Sequence, residues 1–174
     1  MNISLKITDL TKEKQKLLDS VTQLENSSDD EKVLALELDS TIGSISDSLE
    51  VIQRIHTSES DITLETDSIG EISPAGLLIA AAGKPKFRKA KYTTMFRLKE
   101  DLGDEDKKKK KSDPFETVII ATLCAHRGRK TKLIALFKNQ SIISALDAKS
   151  CGIIDDAGVT KSRYKTEDKD NNKK

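Results

Sequence analysis

Aromatic residues are scarce in this chain of 174 residues, which has no tryptophan, two tyrosines and four phenylalanines. So few large rings, with a charged fraction of 34%, make the large core of an ordinary enzyme unexpected. Proline is also rare, and the first of the three is Pro74, so nothing interrupts helix formation before that residue. These absences favour an extended helical region over a catalytic domain.

Cysteine and long apolar runs are equally sparse. Cys124 and Cys151 match no metal-binding or CxxC spacing, which fits a reducing compartment. The longest apolar runs, Leu77–Ala82 and Val118–Ala121, fall far short of the ~20 residues that span a bilayer. No basic flank followed by a hydrophobic run marks a signal peptide. We therefore expect an intracellular, cytoplasmic protein without a membrane partner, and Lys107–Lys111 has the composition of a nuclear-import signal.

The net charge of +1 hides a division between the two halves of the chain. Residues 1–75 hold 6 Lys/Arg and 16 Asp/Glu, a net charge of −10, whereas residues 76–174 hold 24 and 13, a net charge of +11. Opposite charges of this size predict an acidic assembly half and a basic half that meets phosphates or an acidic protein partner.

A heptad register runs through residues 3–56, and 12 of its 16 a and d positions are apolar. A narrow stripe with this repeat is typical of helices that lie along one another as a coiled coil. It predicts a homo-oligomer, from dimer to tetramer, held together by Ile3, Ile7, Leu10, Leu17, Val21, Leu24, Leu38, Ile42, Ile45, Leu49 and Ile52.

The helical region has two alternative forms. The constant heptad phase favours one long helix, whereas Ser28 followed by Glu31 is a capping box, which would end one helix and begin another as a hairpin. The sequence does not determine strand direction or subunit number.

Composition divides the chain into four regions, with an α+β fold class overall. We expect a coiled-coil region at residues 1–56, an acidic linker at 57–75, a basic α+β domain at 76–158 and a polar tail at 159–174. The basic domain contains a charged loop at 100–113 and a hairpin formed by Thr117–Ala125 and Lys132–Phe137. Serines beside acidic residues also suggest a phosphoprotein.

Catalytic motifs are not visible. The two histidines, His56 and His126, form no arrangement that can be argued to be a Ser-His-Asp or Cys-His site, and no phosphate-binding loop is present. We predict no catalytic residue, no metal and no cofactor.

Nucleic-acid binding has the best support among binding functions. Cations that alternate with aromatic rings can neutralise phosphates and stack on bases. The predicted contact residues are Lys84, Lys86, Phe87, Arg88, Lys89, Lys91, Tyr92, Arg97, Lys99, Arg127, Arg129, Lys130 and Lys132.

The sequence thus predicts a non-enzymatic oligomer that binds nucleic acid, RNA slightly before DNA, with low sequence selectivity. The alternative is a scaffold or virion-type assembly protein whose basic half contacts an acidic protein.

Overall fold

A computed structural model describes residues 1–99, 122–123 and 130–158. These residues form a five-stranded sheet with helices packed against it, and a second sheet of three short strands. The elements in chain order are β1 (Asn2–Asp9), α1 (Leu10–Glu25), β2 (Lys32–Ile42), α2 (Ile45–His56), β3 (Ile62–Ile69), β4 (Glu71–Ile72), α3 (Pro74–Ala82), β5 (Arg88–Lys91), β6 (Met95–Arg97), α4 (Lys130–Asn139), β7 (Ile142–Ser144), α5 (Ala145–Cys151) and β8 (Asp156–Gly158).

The larger sheet is parallel throughout, in the order β1-β2-β3-β5-β8. Parallel neighbours need a crossover connection, and α1 and α2 provide those between the first three strands. In the smaller sheet β6 lies between β4, to which it is parallel, and β7, to which it is antiparallel.

The expected fold class is wrong, because the described residues contain five short helices and no long coiled-coil helix. Residues 2–9 and 32–42 are strands, paired through Ile3 with Leu34 and through Ile7 with Leu38. The protein is a mixed α/β structure built on a parallel sheet. The helical hairpin is wrong as well, because Lys32 begins a strand where the capping box predicted a second helix.

The heptad side chains form the core of a single chain instead of an interface between chains. Eight are buried, two are partly buried, and Ile42 is 58% exposed. The buried eight are Ile7, Leu10, Leu17, Val21, Leu24, Leu38, Ile45 and Ile52, and the partly buried two are Ile3 and Leu49.

The second half also differs from expectation. Residues 57–75, predicted to be a linker, contain β3 and β4, while Lys132–Phe137, predicted to be a hairpin strand, belongs to α4. The loop at 100–113 and the tail at 159–174 lie outside the described residues.

Helix α3 is buried along its whole length, since all nine of its residues are buried. It contains only Pro, Ala, Gly, Leu and Ile, so it has no side chain that needs water. Such a helix must lie in the centre of the fold, with other elements on all sides.

The last described strand is attached to the sheet by a buried ion pair. Arg88, 1% exposed, donates to both carboxylate oxygens of Asp155 at 2.8 and 2.6 Å and to the carbonyl of Gly152 at 3.0 Å. The guanidinium holds the pKa of Asp155 below its ordinary value. Arg88 is therefore a structural cation.

Candidate functional site

Ser73 lies at the start of the buried helix α3, immediately after β4. Its Oγ accepts a hydrogen bond from the Gly76 N–H at 3.3 Å, as an N-cap does. Pro74 occupies the first helical turn and has no N–H, and the helix N-terminus carries partial positive charge. The Ser73 hydroxyl is half-exposed at this helix start, where the Gly76 N–H donates to its Oγ and the Leu77 N–H donates to the Ser73 carbonyl.

Hydrogen bonds to buried backbone fix the position of Ser73. Its N–H donates to the Thr41 carbonyl at 2.9 Å, which joins the start of α3 to the end of β2. Thr41 Oγ1 in turn donates to the Ile7 carbonyl at 2.7 Å, and Ser48 Oγ of α2 donates to the Ala75 carbonyl at 2.9 Å. The carboxyl end of the parallel sheet, where α/β proteins usually place their sites, therefore holds Ser73 rigidly.

Ser40 and Gly70, two residues with left-handed backbone conformations, lie close together at the same edge of the sheet. Ser40 has φ 47° and Gly70 has φ 76°. A Cβ on Gly70 would come within 2.3 Å of Ser40 Oγ, so only glycine fits there. Non-glycine residues with positive φ are costly and cluster at functional sites.

The strand register shows which residues pair with β4. Glu71 pairs with Met95 and Ile72 with Phe96, and Ser73 and Arg97 are the next residues along the two segments. Leu98 follows, is fully buried, and donates its N–H to the Ser141 carbonyl at 2.8 Å. None of these neighbours is an imidazole, which is the usual base for a serine nucleophile.

His56 lies at the end of α2 that is remote from Ser73. Ser48 contacts Ala75, so the first turn of α2 lies next to Ser73, while His56 ends that helix. Eight residue steps of α2 separate Ser48 from His56, about 12 Å of helix rise, which puts His56 beyond hydrogen-bonding reach of Ser73. His126 lies outside the described residues.

Carboxylates near this edge of the sheet are held as ions by lysines. The Lys6 ammonium lowers the pKa of Asp39, at the end of β2, and the Lys14 ammonium lowers the pKa of Asp47, in the first turn of α2. Carboxylates with depressed pKa values are weak bases at neutral pH.

Neither a metal-binding cluster nor a membrane-spanning helix occurs among the described residues. Within residues 1–99, 122–123 and 130–158, no group of three His, Cys, Asp or Glu side chains forms a metal site. The helices of the described part are all too short or too polar to cross a bilayer.

A parallel sheet flanked by helices, with a buried helix that begins beside Ser73 at the carboxyl edge, defines a mixed α/β protein. Comparisons with known proteins agree with this class. The Clp protease family model matches residues 3–161, and the chain therefore belongs to the Clp protease family.

One solved structure shows the same fold over nearly the whole chain. It is the ClpP protease catalytic domain from Plasmodium falciparum, with a TM-score of 0.68 and 21% sequence identity. The match covers 91% of this chain and 86% of that one. No curated protein matches the chain.

Family membership corrects the functional predictions. Clp proteases are serine peptidases, so the expectations of a non-enzymatic protein, of nucleic-acid binding and of a scaffold or virion-type protein are wrong. The expected coiled coil and viral phosphoprotein are wrong for the same reason. Self-association is confirmed in its coarse form, since ClpP proteins form homo-oligomeric rings, whereas nucleic acid and an acidic protein partner have no support.

The predicted nucleic-acid contacts do not form one surface. Arg88 is buried and Arg97 is partly buried on β6, whereas most of the rest are exposed around β5. The exposed residues there are Lys84, Lys86, Phe87, Lys89, Lys91 and Tyr92. Lys99 is half-buried, Lys132 is exposed on α4, which begins at Lys130, and Arg127 and Arg129 lie outside the described residues.

Sequence reasoning missed Ser73. A serine followed by proline and then by an apolar run is the ordinary signal for a capped helix start. The apolar run Leu77–Ala82 indicates the helix, and Ser73-Pro74 before it indicates where the helix begins.

Proposed function

We propose that this chain is a peptidase of the Clp type in which Ser73 is the nucleophile. The observation that carries the proposal is the position of Ser73 as N-cap of the buried helix α3 at the carboxyl edge of the sheet. The family match supports peptide bonds as the substrate class.

The reaction follows from the geometry of Ser73. Its Oγ attacks the scissile carbonyl, an Oγ–C bond forms, and the C–N bond breaks as the hydroxyl proton passes to the leaving amine. Water then hydrolyses the ester and releases the second product. The partial positive charge at the N-terminus of α3 stabilises the oxyanion.

The rate should be low for a serine peptidase. The residues paired with β4, Met95 and Phe96, offer no group that accepts the hydroxyl proton at neutral pH. Oxyanion stabilisation and binding alone leave roughly 10³–10⁴-fold acceleration over water when a triad is disabled. We therefore expect slow turnover with a measurable acyl-enzyme.

The test is hydrolysis of a fluorogenic peptide library by the full chain, with fluorophosphonate labelling located by mass spectrometry. Ser73→Asn keeps a capping oxygen but removes the nucleophile, and should abolish both turnover and labelling. Ser144→Asn is the matched control, because Ser144 also caps a helix but belongs to β7, which β6 separates from β4.

Unchanged turnover in Ser73→Asn, or no hydrolysis by the native chain at any concentration, would contradict the proposal. His126→Ala and His56→Ala, measured separately, show whether either imidazole contributes a base.

A further inference from the structure

The first turn of α2 contacts two other helices through two consecutive residues. Ser48, which is fully buried, donates its hydroxyl proton to the Ala75 carbonyl of α3 at 2.9 Å. Asp47, one residue earlier, accepts hydrogen bonds from Thr11 Oγ1 at 3.0 Å and from Lys14 Nζ at 2.8 Å, and both donors belong to α1. This turn therefore joins α1 to the start of α3.

The contact on α3 lies close to Ser73 along the chain. Ala75 is the second residue of α3, inside the turn that the Leu77 N–H closes by donating to the Ser73 carbonyl at 2.8 Å. A hydroxyl carries one proton, and Ser48 Oγ has two carbonyls within reach, the nearer one of Ala75 and that of Ser44 at 3.2 Å. Without the Ser48 hydroxyl, a buried carbonyl in the first turn of α3 loses a partner and the turn loses its tie to α2.

The α1 side of this turn is a cluster of charged groups. Lys14 bridges Asp47 and Glu50, the latter at 2.9 Å, and it lowers the pKa of Asp47, so this carboxylate is charged at neutral pH. Thr11 Oγ1 also accepts the Ser44 N–H at 3.3 Å, at the N-cap of α2. The Asp47 side chain is only 14% exposed, so salt screens its pair with Lys14 less than it screens a fully exposed pair.

A second ion pair joins the same two helices at their other end. Arg54, in the last turn of α2, donates to both carboxylate oxygens of Glu25, the last residue of α1. The exposed fractions of these two side chains, 36% and 20%, are close to those of Lys14 and Asp47. The two cross-links thus differ mainly in position, since Asp47 adjoins the residue that binds Ala75 whereas Arg54 lies at the opposite end of α2.

We infer that Ser48 is a positioning residue for the proposed nucleophile, and that Asp47 with Lys14 holds Ser48 in place. The position of α1 is thereby transmitted through one turn of α2 to the helix start at Ser73. These side chains act on the location of the Ser73 hydroxyl and do not take part in the chemistry. This inference rests on the proposed function, because it takes Ser73 as the nucleophile.

Fluorophosphonate labelling and peptide hydrolysis measure the effect on reactivity. Ser48→Ala and Lys14→Met should each lower the rate constant for Ser73 labelling about tenfold, and should lower kcat with KM unchanged. Lys14→Arg keeps a cation in the cluster and should restore most of the rate. The variant with both Ser48→Ala and Lys14→Met should be no slower than Ser48→Ala alone, because the two changes act along one series of contacts.

Two controls separate positioning from a general loss of stability. Arg54→Met removes the other ion pair between α1 and α2. Thr66→Val removes the buried hydrogen bond of 3.1 Å from Thr66 Oγ1 to the Ala80 carbonyl, which joins β3 to the far end of α3. Both should lower the free energy of unfolding in urea by amounts comparable to the test variants, while Ser73 labelling stays unchanged.

Amide hydrogen exchange of the full chain, followed by mass spectrometry, measures the same coupling without catalysis. Exchange at residues 75–77 should be faster in Ser48→Ala and Lys14→Met than in the native chain, and unchanged in Arg54→Met.

Equal exchange and equal labelling in the native chain and Ser48→Ala would overturn the inference, as would equal slowing of labelling by Lys14→Met and Arg54→Met. A native chain that is not labelled at Ser73 refutes the proposed function instead, and the exchange rates then still decide whether Ser48 and Lys14 hold the start of α3.

Discussion

Gly76 packs so closely on Thr41 that a Cβ added to the glycine would lie 3.2 Å from the Cβ of Thr41. The same added atom would come within 2.7 Å of Ile72 Cγ2. The first turn of α3 therefore approaches the end of β2 only because position 76 has no side chain. This contact therefore constrains the position of the first turn of α3, which begins after Ser73.

Gly76→Ala should displace the start of α3. Overpacking costs about 1–3 kcal/mol, and the better helix propensity of alanine offsets about 1 kcal/mol of that loss. We expect a modest fall in the free energy of unfolding, measured in urea, with a larger fall in Ser73 labelling by fluorophosphonate. Gly158→Ala is the control, because its new Cβ would meet Ala90 O at an ordinary 3.6 Å. Equal effects of the two substitutions would contradict the steric argument.

Acid should weaken the attachment of β8 through Asp155. Because its pKa is lowered by Arg88 in the folded chain, the ion pair contributes its full stability above the ordinary carboxyl pKa of about 4. That contribution is lost as the pH falls through the lower folded-state pKa. Urea unfolding of the native chain between pH 7 and pH 3 measures this loss.

Asp155→Asn should remove this pH dependence and cost about 3 kcal/mol at pH 7, because it leaves Arg88 buried without a counter-charge. Asp156→Asn is the control, because that neighbouring carboxylate is 59% exposed. An acid transition of the same size in Asp155→Asn as in the native chain would contradict this assignment.

Leu17→Ala should destabilise the individual subunit. Leu17 is fully buried in the core of its own chain, and such truncations cost about 2–5 kcal/mol. The unfolding midpoint should fall by the same amount at all protein concentrations, while exposed Lys16→Ala should leave it unchanged. Dissociation of a folded subunit, seen by sedimentation, would instead support a helical interface between chains.

The sequence contained enough information for two of the first four elements. Residues 10–25 and 45–56 have the apolar spacing of amphipathic helices and are helices. The strands were misread because Ile3 and Ile7, four residues apart, fit both a helical turn and an even strand spacing. Leu5 between them, and the run Val33–Leu36, are better explained by strands.

The site was predictable only in part. Ser73-Pro74 before an apolar run indicates a helix start, but nothing local brings Thr41 to it. That neighbour depends on the order of the strands, which is a long-range property of the fold. Arg88 and Arg97 lie in similar basic stretches of the sequence. Arg88 is buried in an ion pair with Asp155, whereas Arg97 is partly exposed and pairs with Glu71.

Helix α3 has no side that faces water, and this limits which parts of the site can change shape. A helix enclosed on every side cannot rotate or slide without opening a void, so the platform beneath Ser73 is stiff. Adjustment to different peptides must come from the rim, where Ile42 and the turn around Ser40 meet solvent. Mutations that tune selectivity should therefore accumulate at the rim, while those in α3 should affect mainly whether the protein folds.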